Sequence, residues 1–252
     1  MKSLKKYFAL LCIFYVNAAF AQNQIELLSQ AKELIKQMKE TEAYPVLVKA
    51  VQADNKNLEA LSLAAFYADK EGNRQTNIQK RNAYYESSKI FAERALKLYP
   101  NEAEANYVMG VALGRIALIS SSKEKVKLSK QIKELGDKCI QLNPNHAGGY
   151  HLLGKWNYEV WNLNFVEKAA VNMLFGGLPA ADIKKSVTYL NKAIELRPDY
   201  LLYKLDLAKS LYDAEKKSEA IALLKIITDS KPSLQDDASV INEAKRLINK
   251  WQ

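Results

Sequence analysis

Ala193-Ile-Glu-Leu-Arg-Pro198 has two near copies earlier in the chain, Ala95-Leu-Lys-Leu-Tyr-Pro100 and Cys139-Ile-Gln-Leu-Asn-Pro144. Each segment places a small residue before an apolar-x-apolar step and ends at a proline, which cannot continue a helix. A further proline, Pro232, follows Pro198 by 34 residues (232 minus 198), which is the period of the tetratricopeptide repeat. Each such repeat is a pair of antiparallel helices, A and B, so the sequence predicts an all-α solenoid of tetratricopeptide type.

Counting from these prolines divides residues 22–252 into five repeat units. Small residues recur where two helices must approach closely, for example Gly110, Gly154 and Ala208 in helix A. We expect about five antiparallel helix pairs, with units near 24–57, 58–102, 103–146, 147–200 and 201–234. The amphipathic segment 236–251 is predicted to be a C-terminal capping helix, because a solenoid must cover the apolar end of its last unit.

The fourth unit is 20 residues longer than a standard repeat (54 minus 34). Helical periodicity continues from Glu159 to Phe175 and stops at Gly176-Gly177-Leu178-Pro179. We expect either a long helix A or an added helix here, followed by a loop that leads into helix B from about Ala181. Two interpretations of the insertion 161–175 stay open: it covers one mouth of a binding groove, or it only thickens the stack.

The N-terminus has the pattern of an export signal. A basic start, an apolar run and a small-x-small site follow one another: Lys2, Lys5 and Lys6, then Tyr7 to Val16, then Ala19-Phe20-Ala21. We predict a signal peptide at 1–21, cleavage before Gln22, and a periplasmic or secreted protein. An uncleaved anchor is the weaker alternative, because the apolar run is shorter than the roughly 18 residues that a membrane span requires. No later stretch reaches that length, so no transmembrane segment is expected in the mature chain.

Cysteine usage fits a fold held by packing alone. The chain has 2 cysteines, and cleavage would remove Cys12 and leave Cys139 without a partner for an intramolecular disulfide. Cys139 occupies a small-residue position of the repeat, so we expect its thiol to be buried and unreactive.

Composition excludes two broad classes. The 9 glycines and 6 prolines are too few for the many turns of an all-β fold. The net charge is +9, or +6 without the three N-terminal lysines, but only six of the 37 basic residues are arginines and the basic residues are interspersed with 28 acids. Nucleic-acid readers cluster their basic residues on one face, so we expect no nucleic-acid partner.

Motifs for catalysis, metals and cofactors do not occur. His146 and His151 are five positions apart, which puts them on different faces of a helix, and no Cys, Asp or Glu accompanies them at ligand spacing. The Gly-x-Ser-x-Gly, Walker, dinucleotide-binding and His-Glu-x-x-His patterns are absent from the sequence. We therefore expect no enzyme activity, no metal and no cofactor.

Several segments of the second half form a pattern beyond the repeat itself. They are His151-Leu-Leu-Gly-Lys-Trp-Asn-Tyr-Glu-Val160, Leu163-Asn-Phe-Val-Glu-Lys168, Leu178-Pro179 and Ala193-Ile-Glu-Leu-Arg-Pro198, with Val126-Lys-Leu-Ser-Lys-Gln-Ile-Lys-Glu-Leu135 and Asn143-Pro144 upstream. Together these segments resemble the regulator of microtubule dynamics protein family. The resemblance covers roughly Asn57 to Pro232 and is most specific at Gly154, Trp156 and Tyr158.

The resemblance implies a helical repeat fold. Animal members of that family are linked to microtubules, and some bind phospholipid through the repeat domain at membrane contact sites. Microtubule binding is not carried over, because an exported chain does not meet cytoplasmic tubulin. No catalytic residues are known to us in the family, so none are transferred.

A candidate binding surface follows from the register of the repeats. Tetratricopeptide stacks bind ligands on a concave face lined mainly by positions 2, 5, 9 and 12 of helix A. In this register the predicted wall consists of Tyr107, His151, Lys155, Tyr158, Lys209 and Tyr212. Its apolar bodies and cationic tips suit an extended peptide with a carboxylate, or an anionic lipid headgroup above an apolar tail. The alternative is that these side chains only pack between neighbouring helices.

The leading hypothesis is a non-catalytic scaffold of the cell envelope that binds a protein or peptide. The alternative is a lipid- or amphiphile-binding module that uses the same concavity. A peptide binder should have an open, mostly polar groove, whereas a lipid carrier needs a deep apolar cavity with Leu205 and residues 161–175 facing inward. A structural assembly subunit would instead have a large apolar patch on the convex side.

Overall fold

The computed structural model describes residues 23–251. Over this range every regular element is an α-helix and no strand occurs, so the predicted all-α class is confirmed. The chain divides into two compact units, one ending at Leu98 and one beginning at Tyr99. The predicted signal peptide at 1–21 lies outside the described residues.

The described part of the first unit, residues 23–98, contains two successive helix pairs. Residues 23–36 (α1) and Glu40–Ala53 (α2) are joined by a short turn, and Leu58–Arg74 (α3) and Ile78–Leu98 (α4) follow. Helix α3 packs against both α2 and α4. Its small residues Ala60, Ala64 and Ala68 are completely buried, which lets the neighbouring helices come close.

A buried ion cluster joins α2 to α3. The side chain of Glu40, the first residue of α2, is fully buried, and its Oε2 lies 2.6 Å from Lys70 Nζ. Arg74 contacts both Glu40 and Glu71. Two carboxylates therefore meet two cations, which matters because an uncompensated charge in the interior costs several kcal/mol. The apolar pattern of the sequence did not reveal this cluster.

The second unit contains eight helices between residues 99 and 251. They are Ala103–Ile119 (α5), Ser122–Leu142 (α6), Ala147–Trp161 (α7), Phe165–Phe175 (α8), Ile183–Leu196 (α9), Leu201–Asp213 (α10), Lys217–Thr228 (α11) and Asp237–Trp251 (α12). Three pairs pack together, α5 with α6, α7 with α9, and α10 with α11. The A helices α5, α7 and α10 contact one another in order, and α12 packs beside α10. Helix α8 interrupts the second pair, so the insertion forms an added helix rather than a longer helix A.

Proline ends the B helices as the sequence indicates. Helices α4, α6 and α9 each stop two residues before a proline, at Pro100, Pro144 and Pro198 respectively. The residue before a proline is disfavoured in helical conformation, so the helix ends there. Local sequence therefore determines these three boundaries.

Small residues set the distance between paired helices. A Cβ placed on Gly154 of α7 would lie 2.6 Å from Leu190 Cγ and 3.3 Å from the Leu190 backbone nitrogen. Leu190 of α9 is completely buried. Helices α7 and α9 can therefore pack at this distance only because residue 154 has no side chain.

Helix α12 covers the apolar end of the last pair. Val240, Ile241, Ala244 and Leu247 form one buried cluster with residues of α10 and α11, namely Leu201, Leu205, Ala208, Leu224 and Ile227. The ring of Trp251 stacks on that of Tyr212 with centroids 3.9 Å apart. This is the role expected of a capping helix.

Candidate functional site

Asp206 of α10 brings two residues of the predicted wall together. His151 Nε2 lies 2.8 Å from Asp206 Oδ2, and Lys155 Nζ lies 3.5 Å from Asp206 Oδ1. His151 and Lys155 are one helical turn apart on α7, so both face α10. The Asp206 side chain is only 8% exposed, whereas that of Lys155 is 41% exposed. The result is a charged contact between two A helices, with its cationic end at the surface.

The charge states of Asp206 and Lys155 are set by two opposing effects, burial and the charges of their neighbours. Burial alone would raise the pKa of Asp206, but Lys155 and the hydrogen bond from His151 hold that pKa well below its usual range. Burial lowers the pKa of Lys155, and the carboxylates of Asp206 and Glu159 more than offset this and raise it. Both partners are therefore charged at neutral pH, and each depends on the other.

Lys209 belongs to a second ionic contact, between α10 and α12. Lys209 Nζ lies 3.6 Å from Glu243 Oε1, and Arg246 Nε donates to Glu243 Oε2 at 2.7 Å. The Arg246 hydrogen bond, assisted by Lys209, lowers the pKa of Glu243. This contact extends the polar surface of α7 and α10 onto the capping helix.

Tyr158 places a hydroxyl beside an acid at the end of α10. Burial, and next the neighbouring Asp213 to which its hydroxyl is hydrogen-bonded, raises the pKa of Tyr158 above its ordinary value. Asn162 Nδ2 also donates to Asp213 Oδ2 at 3.1 Å. Lys155 Nζ lies 5.9 Å from the centre of the Tyr158 ring, which is within range of a cation–π interaction. Tyr158 and Lys155 therefore share one surface.

The two remaining wall residues pack against other rings. Tyr212 stacks on Trp251, and Lys217 Nζ lies 5.4 Å from the Tyr212 ring centre. Tyr107 of α5 is buried, and its ring lies 4.9 Å from that of His146. The structure thus places His151, Lys155 and Tyr158 on α7 and Lys209 and Tyr212 on α10, where α12 contacts the last two through Glu243 and Trp251. Tyr107 has a packing contact at the start of α7. That any of these residues binds a ligand stays a prediction.

Sequence reasoning missed the residue at the centre of this surface. Asp206 is the acidic residue between two core leucines, Leu205 and Leu207, in the middle of a helix A. A buried acid in such a stretch needs a cationic partner, and that requirement is the signal that could have linked it to Lys155.

The other groups considered for chemistry have structural contacts. His146 caps α7, because its Nδ1 accepts the Gly149 N–H at 2.9 Å, and its Nε2 lies 2.9 Å from Glu104. Cys139 is completely buried, as predicted, and burial raises the pKa of its thiol to about 12. Across residues 23–251 no three or more His, Cys, Asp or Glu side chains are grouped to hold a metal ion.

A small cavity lies beside the added helix rather than along the predicted wall. Its volume is about 190 Å³. The lining comes from the end of α7, one side of α8 and the loop before α9, and includes Trp161, Leu163, Val171, Leu178 and Pro179. Leu205, which a lipid-lined groove would need, is buried instead in the cluster with α11 and α12.

Comparison with known proteins gives consistent matches along the chain. The profile of the family described as "Regulator of microtubule dynamics protein 1-3" matches residues 27–252. Regulator of microtubule dynamics protein 1 of Pongo abelii is 25% identical over 228 residues, which cover 90% of this chain and 72% of that protein. Regulator of microtubule dynamics protein 3 of Xenopus laevis is 27% identical over 160 residues, which cover 63% of this chain and 35% of that protein. The chain thus spans about a third of the longer relative, and the resemblance drawn from the sequence is confirmed.

Solved structures show the same fold. A thermophilic tetratricopeptide-repeat protein of Thermus thermophilus aligns with a TM-score of 0.64 at 15% sequence identity, and the alignment covers 88% of this chain and 99% of that one. At such low identity the likeness concerns the fold alone. The predicted tetratricopeptide-type architecture is confirmed. None of the helices within residues 23–251 combines the length and apolar character needed to cross a membrane.

Proposed function

Since the chain belongs to the regulator of microtubule dynamics protein 1-3 family, we propose that it is a non-catalytic repeat scaffold that binds a protein or peptide. The observation that carries this proposal is the polar surface along α7, α10 and α12, where Lys155, Lys209 and Tyr158 remain partly exposed beside the buried carboxylate of Asp206 and the half-buried one of Glu243. Helical repeat proteins present extended binding surfaces of this kind.

The chemistry of this surface suits a peptide with a carboxylate. The Lys155 ammonium has three N–H donors and contacts two carboxylates here, Asp206 at 3.5 Å and Glu159 at 3.1 Å. An incoming acceptor can therefore be bound while the internal contact is kept. The hydroxyl of Tyr158 and the Lys209 ammonium extend the same surface, so an extended chain can meet several polar groups in succession.

A lipid in the same groove is the alternative, and two observations speak against it. Leu205 is 4% exposed and packs in the core, so it does not line a cavity. The insertion turns Phe165 and Met173 outward, where they are 87% and 83% exposed. Neither feature supplies the inward apolar lining that an acyl chain requires.

We also propose that the chain acts outside the cytoplasm. The support is the basic-apolar-small pattern of residues 1–21. The relatives are named for the regulation of microtubules, and we do not extend that role to an exported chain. N-terminal sequencing of the protein from its source cells tests this: a start at Gln22 in the envelope or medium supports export. A start at Met1 in the cytoplasm would contradict it and would make co-sedimentation with microtubules the next experiment.

Native mass spectrometry of the protein, purified from its source cells without detergent, tests the binding proposal. We expect a co-purifying peptide or protein that is lost in Lys155→Met. Lys192→Met is the matched control, because Lys192 is 36% exposed and also pairs with a glutamate on its own helix, but it lies on the B helix α9. A bound mass of lipid size that follows Lys155 overturns the peptide proposal in favour of the alternative. Equal loss in both variants, or in neither, shows that the predicted wall is not the site.

A further inference from the structure

Helix α8 carries its large apolar side chains on the solvent side. None of its residues is buried, and Phe165, Val166, Met173 and Leu174 are all mostly exposed. Soluble proteins rarely leave several large apolar side chains together in water unless that surface has a partner. The added helix therefore differs from the paired helices of the second unit, each of which has a buried face.

The exposed side chains cover one continuous half of the helix. At about 100° per residue, six residues fall within a half turn that contains no charge. We call this set the apolar arc: Phe165, Val166, Ala169, Ala170, Met173 and Leu174. The two charged residues of α8 lie outside it and make local contacts, Glu167 with the Asn164 N–H at 2.8 Å and Lys168 with the Trp161 carbonyl at 2.8 Å. The opposite side, with Val171, faces the small cavity.

A lysine of α6 contacts the C-terminal end of α8. Lys130 Nζ of α6 donates to the carbonyl of Phe175, the last residue of α8, at 3.1 Å. Lys127 and Lys123 lie on the same stripe of α6, one and two turns before Lys130 respectively, and Lys127 is paired with Glu124 at 3.3 Å. After the insertion along the chain, Lys184 and Lys185 are exposed at the start of α9. The uncharged apolar arc thus lies on a helix whose end contacts a lysine-bearing stripe of α6.

We infer that α8 docks this protein on an anionic lipid surface, with the apolar arc inserted at the boundary between headgroups and acyl chains. The lysines of this α6 stripe then meet the lipid phosphates. A helix of 11 residues is about 16 Å long, too short to span a bilayer but suitable to lie in its interface. A helix that binds in a groove of another protein uses a narrower apolar stripe than the arc of α8. A bilayer can accommodate an apolar surface that covers half the circumference of the helix, so the width of the arc favours lipid as the partner. This site is separate from the predicted wall and does not depend on it.

Flotation with vesicles tests the inference. The protein is mixed with vesicles of phosphatidylcholine alone, or of phosphatidylcholine with phosphatidylglycerol, and the bound fraction is measured over a range of lipid concentrations. We expect binding to the anionic vesicles that weakens with added salt. The double variant Phe165→Ser/Met173→Ser should lower the partition coefficient by about tenfold or more, because two large apolar side chains no longer enter the lipid. Ile226→Ser is the matched control, since Ile226 is also exposed but lies on α11.

Two features of the variants make the flotation assay specific for α8. Each has the same N-terminus as the wild type, so a difference between them reports α8 alone. Lys155→Met should leave vesicle binding unchanged, which separates this site from the proposed binding surface. The inference is overturned if the double variant binds as the wild type does, or if the wild type binds neither kind of vesicle. It is also overturned if the double variant abolishes a dimer that forms without lipid, since a second copy then covers the arc.

A fluorescent label gives an independent readout at the arc itself. Met173→Cys, in a Cys12→Ser background, can be labelled with an environment-sensitive dye, because Cys139 is buried and its thiol pKa is about 12. Insertion should shift the emission of the dye to shorter wavelength on anionic vesicles. Unchanged emission in the presence of bound vesicles would show that another part of the chain makes the contact.

Discussion

The substitution Gly154→Ala tests the packing of the helix pair directly. The new Cβ would lie 2.6 Å from Leu190 Cγ and 2.9 Å from its Cδ2, against ordinary contacts of about 3.4 to 4 Å. Leu190 cannot swing away freely, because it is fully buried in a cluster with Leu207, Leu211 and Ala220. The Leu190 backbone nitrogen at 3.3 Å limits movement further. Helices α7 and α9 must therefore separate, or Leu190 must leave its rotamer.

Two opposing effects set the magnitude. Overpacking of a core costs about 1–3 kcal/mol, whereas alanine in place of glycine in a helix interior gains roughly 0.5–1 kcal/mol. Backbone contact and full burial place this site toward the high end of the first range. We expect Gly154→Ala to lower the free energy of unfolding by about 1–2 kcal/mol.

Gly114→Ala is the matched control. Gly114 lies in the interior of α5, and a Cβ added there meets nothing within 4 Å. We expect it to raise stability by roughly 0.5 kcal/mol through the helix preference alone. Urea denaturation followed by tryptophan fluorescence measures both, because all 3 tryptophans, Trp156, Trp161 and Trp251, lie in the second unit. If Gly154→Ala stabilised the protein as much as Gly114→Ala, the close approach of α7 and α9 would be refuted.

Three further predictions concern the second unit. Burial raises the pKa of Asp206, but Lys155 and the hydrogen bond from His151 outweigh burial and hold this pKa below its value in the unfolded chain. The Asp206 carboxylate therefore stabilises the fold above about pH 4, and this stabilisation is lost as the pH falls further. Asp206→Asn should therefore lower stability at pH 7 and flatten its decline in acid, and an unaltered acid profile in urea titrations would contradict this. Burial raises the pKa of the Cys139 thiol to about 12. In a Cys12→Ser background, this thiol should therefore react with a thiol reagent at pH 8 only after the protein is unfolded in urea. Rapid reaction of the folded protein would show that the thiol is accessible. Glu215 is exposed and adopts φ 62° between α10 and α11, a backbone conformation that is strained for a residue with a side chain but not for glycine. Glu215→Gly should therefore raise the free energy of unfolding by roughly 0.5–1 kcal/mol. A loss of stability in the same urea assay would contradict this explanation.

Local sequence predicted the parts of the fold that depend on neighbouring residues. The prolines after α4, α6 and α9 act on the few residues before them, and the small residue at position 154 acts through a single contact. Both features can be found from the repeat. The choice between a long helix A and an added helix was not settled by the periodicity, because the break at Asn162–Asn164 carries no proline or glycine.

The candidate site was predicted less completely, for a physical reason. The repeat register places His151, Lys155, Tyr158, Lys209 and Tyr212 on one group of helices, but it does not show which charges meet. The contact of His151 with Asp206 joins residues 55 positions apart, and the cluster at Glu40 joins residues 34 apart. An apolar stripe such as that of α8 also gives the same pattern whether it faces a core or solvent, so its exposure is known only from the structure.

The proposed function requires that a protein or peptide binds along α7, α10 and α12. Site-specific photo-crosslinking in the source cells tests it most directly, with a photoreactive phenylalanine analogue in place of Tyr158 or, as the control, in place of Tyr189 on the B helix α9. We expect a discrete protein or peptide adduct at position 158 that is lost when Lys155→Met is added, and no such adduct at position 189. An adduct at position 189 with none at position 158 would contradict it.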